Sequence, residues 1–356
     1  QKSFQRIFRI FLFLPLQDTI FSRLKTFCGI HWISRFNKII TNHTGSISSI
    51  FNYIRSYYQT SFKPVYFLLL SLMLAVIIYL NYYHSLEYRL SNTGMSTVAA
   101  FAGSYIIYFL PFAIAYLIQI FFYKDCSFLR KKWFWIILII APAIFALRMN
   151  FDLHHTLIKR FWQGDEQLFW IRCAKWFTGL FTVLIPVYLI WRVKDSKLMP
   201  FYGMERLKNT MPYLLMVLCM IPLITVAATQ ADFLKMYPRA KVVTGWQLHP
   251  KTLYYILHEI FYSMDFITIE IFFRGFLVLS LVNLCGKQCI LPAACFYCCI
   301  HLGKPMGEAI SSFAGGLLLG IISYNTRSIR GGLMVHLGVA WLMEAAGFIA
   351  HQYYRQ

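Results

Sequence analysis

Apolar runs about the length of a bilayer recur along this chain and leave it few ways to fold. Five of them, at residues 65–83, 98–122, 133–147, 174–191 and 211–228, lie near the ~20 residues a helix needs to cross hydrocarbon. Four more follow at 253–284, 289–302, 310–324 and 333–350. In lipid, every backbone N–H and C=O must be satisfied within the segment, so such runs imply helices. The expected fold class is all-α: a polytopic transmembrane helical bundle of about 8–9 spans. A composition of 58% hydrophobic, 18% aromatic and 13% charged residues, with a mean hydropathy of +0.56, agrees, being too apolar for a soluble globular protein. The second and third of the last four runs are short for a span, which suggests tilting or shielding by protein.

The formal net charge of +20 is distributed by position. Lys124, Arg130, Lys131, Lys132, then Arg192, Lys194, Lys197, Arg206 and Lys208, then Lys287, Arg327 and Arg330 fall in alternate connections. By the positive-inside rule these mark the cytoplasmic side, shared with a cytoplasmic N-terminus. Residues 1–64 interleave Arg6, Arg9, Arg23, Lys25, Arg35, Lys38 and Arg55 with Phe, Ile, Leu and Trp32, the composition of a basic amphipathic segment on a membrane surface. Anionic lipids are the partner expected there, and a membrane protein that docks on this segment is the other. With no base-reading helix or binding motif, no nucleic acid is expected as a partner. The domain reading is a surface segment at 1–64, a transmembrane scaffold at 65–252, a core carrying the chemistry at 253–350 and a tail at 351–356. The connection 150–173, mixed in charge and rich in aromatics, reads as lying along the outer surface.

Ionisable residues inside the last four runs carry the functional signal. A charged group at bilayer depth costs roughly 2.5–3.5 kcal/mol even on the lenient insertion scales, and those that persist normally face a protein interior or a wet cavity. Glu270 and Arg274 are four apart, share one helical face and can pair, while Gly275 beside them permits close approach of a neighbouring helix. His301 closes one apolar run and His336 opens another after Gly331-Gly332. A carboxylate with two imidazoles at compatible depths suits activation of water by general-base chemistry. The competing reading of Glu270 and Arg274 is a buried ion pair that only locks two helices.

A Glu/His/His set could also bind zinc. No His-Glu-x-x-His helix exists, and His258-Glu259 is followed by Tyr262 where the second histidine would stand, so no cofactor is expected and zinc remains the alternative. Cys295, Cys298 and Cys299 read as small packing residues of one helix rather than ligands. Gly315, Gly316 and Gly320 read as a small-residue packing face. Glu259, Asp265, Glu308 and Glu344 are second-tier candidates for the cavity wall or helix caps.

Glu270-x-x-x-Arg274-Gly275, the bulky Tyr297 four residues before His301, and Arg330-Gly-Gly-Leu-Met-Val-His336 in the last run resemble the three motifs of the CPBP family. These are intramembrane glutamic endopeptidases related to CAAX-prenyl proteases and to bacteriocin-processing or immunity proteins, and the phrase around His301-Leu-Gly-Lys-Pro looks like the bacterial members. The resemblance covers about the last hundred residues. It implies a multi-pass protein of a bacterial cytoplasmic (inner) membrane that hydrolyses a peptide bond of a peptide or protein substrate. It implies that Glu270, His301 and His336 are catalytic, activating water and stabilising the oxyanion, with Arg274 and Tyr297 supporting them. Two positions depart from the pattern: Ile269 stands where the family usually has a first glutamate, and Ala340 where Asn or Asp commonly follows the last histidine by four. They motivate the alternative of a catalytically inactive CPBP-like membrane scaffold or partner-binding subunit.

Overall fold

Every element of the computed structural model is helical or a turn; no strand occurs among the described residues, which are 49–91, 94–205, 207 and 209–353. Most of the basic segment expected at 1–64, and residues 354–356 of the expected tail, lie outside the described residues. Residues 50–356 form one unit. Within it, the helices used below are α1 (Pro64–His84), α2 (Thr97–Phe122), α3 (Lys132–Asn150), α4 (Gly164–Ile190), α5 (Met211–Ala227), α6 (Lys251–Glu270), α7 (Ile290–Cys299), α8 (Met306–Thr326) and α9 (Arg330–Tyr353).

Among the described residues, seven helical stretches are long and apolar enough to cross a membrane, and α5 is a shorter apolar one. The chain is a multi-pass membrane protein. Large apolar side chains such as Val98 and Phe121 on α2, Leu223 and Val226 on α5 and Ile349 on α9 are exposed, as expected of surfaces that face lipid. Helices α6 and α7 belong to one stretch, Lys251–Cys299, in which far more of the chain is buried than in any other span. All ten residues of α7 are buried, so its shortness is tolerated because protein, not lipid, surrounds it.

Three sequence expectations shift. The run at 310–324 is not short: α8 starts at Met306 and has 21 residues. Its first turn includes Glu308, which pairs with Lys304 at 3.4 Å and accepts the Tyr237 hydroxyl at 3.0 Å, so the polar turn can be helical. The connection 150–173 is largely helical: Leu153–Phe161 forms one helix, and α4 begins at Gly164 with Asp165 and Glu166 in its first turn. Acidic groups there complement the positive end of the helix dipole. The expected tail at 351–356 begins as helix, because α9 runs to Tyr353.

After Glu270 the chain keeps its direction but changes its hydrogen-bonding pattern. Residues Ile271–Ser280 form a π-helix, every residue of it buried. Such i→i+5 segments are rare and concentrate at functional sites. Phe272 and Phe273 from this segment pack with Phe296 of α7 and Phe145 of α3, ring centroids 5.2–5.9 Å apart. The far end of the π-helix is tied down by a polar knot. Asp195, wholly buried, takes hydrogen bonds at 2.7 Å each from Lys194, Tyr202 and Ser280. The close approach anticipated at Gly275 is made by Tyr202 of this connection, not by a helix: a Cβ added at 275 would lie 3.0 Å from the Tyr202 Cβ.

Of the three glycines expected to form a packing face on α8, two do so. Added Cβ atoms at Gly316 and Gly320 would press on Tyr297 and Ile290 of α7 at 3.0 and 2.9 Å, whereas Gly315 faces open space. The four-residue spacing of 316 and 320 puts both on one side of the helix, and 315 falls off it. The connection between α5 and α6 is fastened onto α9: Glu344 accepts the backbone N–H groups of Arg239 and Ala240 at 2.8 and 3.1 Å. His351 Nε2 donates to the Leu234 and Tyr237 carbonyls, each at 3.0 Å.

Candidate functional site

Glu270 is the last α-helical residue of α6 and is completely buried. Its Oε1 has two cationic or donor neighbours, Arg274 Nη1 at 3.1 Å and His336 Nδ1 at 3.0 Å. Its Oε2 has no hydrogen-bond partner in the protein. That oxygen lies against α9 at Gly332, where an added Cβ would sit 2.6 Å from it. Gly332 and His336 are one turn apart on the same face. The glycine lets the carboxylate approach the backbone of α9, and the histidine receives it there. Gly332→Ala is therefore expected to displace the carboxylate and break its contact with His336. The displacement should appear as a shift of the His336 Nδ1 resonance in ¹⁵N-histidine-labelled protein with helical circular dichroism unchanged; an unmoved resonance would show that the close contact is dispensable.

Tyr297, in the last turns of α7, holds the centre of the cluster. The Arg274 guanidinium lies 4.2 Å above its ring, and the rings of Phe273 and His301 meet it edge-on at 5.0 and 4.5 Å. Its hydroxyl is 3.3 Å from His336 Nε2. His336 also packs edge-on against Phe266, one turn before Glu270, at 4.7 Å.

His301 stands in the turn after α7 and reaches the cluster through Tyr297. Its Nδ1 is 2.8 Å from the Tyr297 carbonyl. A carbonyl only accepts, so Nδ1 carries the proton and Nε2 presents a lone pair. Helix α1 fixes this turn: Asn81 Nδ2 donates to the Leu302 carbonyl at 2.8 Å, and the Tyr82 hydroxyl donates to the Lys304 carbonyl at 2.6 Å. The Asn81 side-chain oxygen meanwhile accepts the Glu87 N–H at 3.0 Å.

The five residues singled out in the sequence thus gather from α6, its π-helical continuation, α7 and its turn, and α9. The second-tier acids do not join them. Asp265 is ion-paired with Arg148, Glu259 meets His258 at 3.1 Å, Glu308 is held by Lys304 and Tyr237, and Glu344 caps a connection. Burial pushes the Tyr237 phenol well above its usual pKa, so it remains the donor to Glu308. Among the described residues no group of three His, Cys, Asp or Glu is placed to hold a metal ion. Cys295, Cys298 and Cys299 are free and buried in α7. A cavity of about 560 Å³ is lined by Leu198, Gly203, Leu279 and Arg327 among others, and by none of the five cluster residues.

Ile269 packs into the main apolar core, and Ala340 joins Trp176, Tyr262 and Phe266 in a smaller one. Both positions where the family resemblance expects a polar group are therefore filled by hydrocarbon. The contact of Gly332 with Glu270 and the linking position of Tyr297 were not anticipated. The first had a sequence signal, a glycine four residues ahead of the histidine on one helix face.

No curated protein and no solved structure matches the chain. One family model does, that described as type II CAAX prenyl endopeptidase Rce1-like, and its match runs over residues 253–342. This is about a quarter of the chain, starting at the third residue of α6 and ending midway along α9. It takes in Glu270, Arg274, Tyr297, His301, His336 and both departures, Ile269 and Ala340. The segment that builds the polar cluster is thus similar to the Rce1-like type II CAAX prenyl endopeptidases.

Proposed function

We propose that this protein is a membrane-embedded endopeptidase that hydrolyses a peptide bond with water activated by Glu270 and His301, His336 acting on the carbonyl side. The observation that carries the reading is the state of Glu270: a buried carboxylate fixed through one oxygen by Arg274 and His336, with its other oxygen unpartnered. A carboxylate built only to lock helices would have both oxygens satisfied, because a buried acceptor left unpaired costs about 1–3 kcal/mol. The similarity of residues 253–342 to Rce1-like type II CAAX prenyl endopeptidases supports the reaction class.

In the proposed step, Glu270 Oε2 and His301 Nε2 accept the hydrogens of one water. The water oxygen bonds to the carbonyl carbon as its proton passes to the base, and the carbonyl electron pair moves to oxygen. Collapse breaks the C–N bond, and the same proton goes to the departing amine. Every group used belongs to the chain, and no metal is needed to balance the step.

The test uses the full chain in detergent with an internally quenched peptide that ends in a farnesylated Cys-aliphatic-aliphatic-Met sequence, beside its unprenylated counterpart. Cleavage next to the cysteine, identified by mass, is expected, and o-phenanthroline or EDTA should leave the rate within about twofold, since a bound metal would otherwise supply the several kcal/mol of charge stabilisation typical of such catalysis. No cleavage of either peptide would sink the peptidase reading and leave the scaffold. Loss of activity to chelators would replace the metal-free step with a metal-assisted one.

A further inference from the structure

Resting on that reading, we infer that the Tyr297 hydroxyl is the hydrogen-bond donor to the carbonyl oxygen as it becomes an oxyanion, and that His336 orients this hydroxyl rather than meeting the substrate with an N–H of its own.

Arg274 Nη1, which can only donate, lies 3.1 Å from Glu270 Oε1, so that oxygen serves as an acceptor. His336 Nδ1, 3.0 Å from the same oxygen, must then donate to it. A neutral imidazole with its proton on Nδ1 has a lone pair on Nε2. The group 3.3 Å from that lone pair is the Tyr297 hydroxyl, which therefore points its hydrogen at His336. On this side of the cluster the imidazole has no hydrogen left to offer a substrate, and the phenol has one.

The α9 side of the cluster offers no second donor among the described residues. Ala340, the next residue on the His336 face of α9, packs among Trp176, Tyr262 and Phe266. Phe266 covers the imidazole edge-on at 4.7 Å. Arg274 lies over the Tyr297 ring and pairs with Glu270, and its Nη atoms, which make no hydrogen bond in the protein, are a further donor beside the hydroxyl.

Tyr297 is also unusually well fixed. Its ring is held between the Arg274 guanidinium and the edges of Phe273 and His301, and Gly316 of α8 leaves it room that a methyl group would fill. Only the hydroxyl hydrogen is free to rotate. The cation above the ring stabilises negative charge drawn onto the phenolic oxygen. The backbone carbonyl of the same residue holds His301 Nδ1 at 2.8 Å, so base and donor are registered on one residue. During attack the hydroxyl hydrogen turns from His336 Nε2 to the developing oxyanion. No covalent bond to Tyr297 forms, and on collapse the hydrogen bond returns to His336.

Tyr297→Phe keeps the ring and removes only the donor. On the farnesylated quenched peptide its kcat is expected to fall about 10²–10³-fold, the loss typical of removing one oxyanion donor. KM should stay within about threefold, because the interaction forms only in the transition state. In protein labelled with ¹⁵N-histidine, the His336 Nε2 resonance should move to the position of an unbonded nitrogen. Replacing Tyr297 by 3-fluorotyrosine, a more acidic phenol of nearly the same shape, should carry the alkaline limb of the kcat profile to lower pH, a shift that a packing role would not cause. A Phe variant as fast as wild type, or an alkaline limb unmoved by fluorination, would overturn the inference while leaving the peptidase reading intact. A wild type that cleaves neither peptide would remove both.

Discussion

Glu270→Gln is expected to lower kcat on the farnesylated peptide by about 10²–10⁴-fold, the range for loss of a positioned general base, with little change in KM. Glutamine preserves the volume and one acceptor for His336, so the geometry of α6 against α9 should persist. What is lost is basicity at the oxygen that faces Gly332. His301→Ala should cost activity within the same range, because the lone pair at Nε2 disappears. The two variants differ in stability. Glutamine leaves Arg274 buried beside a neutral partner and should melt lower than wild type, whereas His301 makes no ion pair and its removal disturbs chiefly the turn that Asn81 and Tyr82 already hold. The comparison separates chemistry from folding. A Glu270→Gln protein that turns over within tenfold of wild type would show that the carboxylate locks helices and that another group handles the water.

The helical fold was written in the apolar runs, since segments of bilayer length admit few solutions once backbone hydrogen bonds must close internally. The motif residues were legible for a related reason: Glu270, Arg274, His301 and His336 are expensive at that depth, so their presence inside apolar sequence was itself the signal. The structure brings them together, with Tyr297 between them. Less legible were features that depend on what a residue faces. Nothing in Ile271–Ser280 announces a π-helix, because i→i+5 bonding is a tertiary compromise that carries no periodic signature of its own. Gly315 and Gly316 read alike in sequence, yet only the second touches α7. The early turns of α4 and α8 looked like loops because Asp165, Glu166 and Glu308 interrupt the hydropathy. They are helical because those acids meet a helix terminus, a lysine and a tyrosine. Tyr297 read in the sequence only as a bulky residue four before His301, and the consequence of its hydroxyl emerges only when it is seen beside His336 Nε2.

Arg274→Met should have the largest effect on stability. The pair it belongs to is buried on both sides, with 2% exposure of the arginine side chain and none of the glutamate, so solvent does not screen it. Removing one partner of a buried pair strands the other charge, at a cost of about 3–5 kcal/mol. Equilibrium unfolding in mixed micelles should show that loss, and the packing of Tyr297 should loosen as the guanidinium over its ring disappears. The informative companion is Glu270→Leu/Arg274→Met. Replacing both charges by apolar groups of similar size is often neutral or stabilising, since neither has then to be desolvated. The double variant is expected to recover most of the lost stability and none of the activity. That pattern would mean the pair is not needed to hold α6 in place, and that Arg274 serves the chemistry of Glu270 rather than the packing of the helix. A double variant no more stable than the single one would show instead that the ion pair is a packing element in its own right. The unpartnered Oε2 would then lose its force as evidence for chemistry.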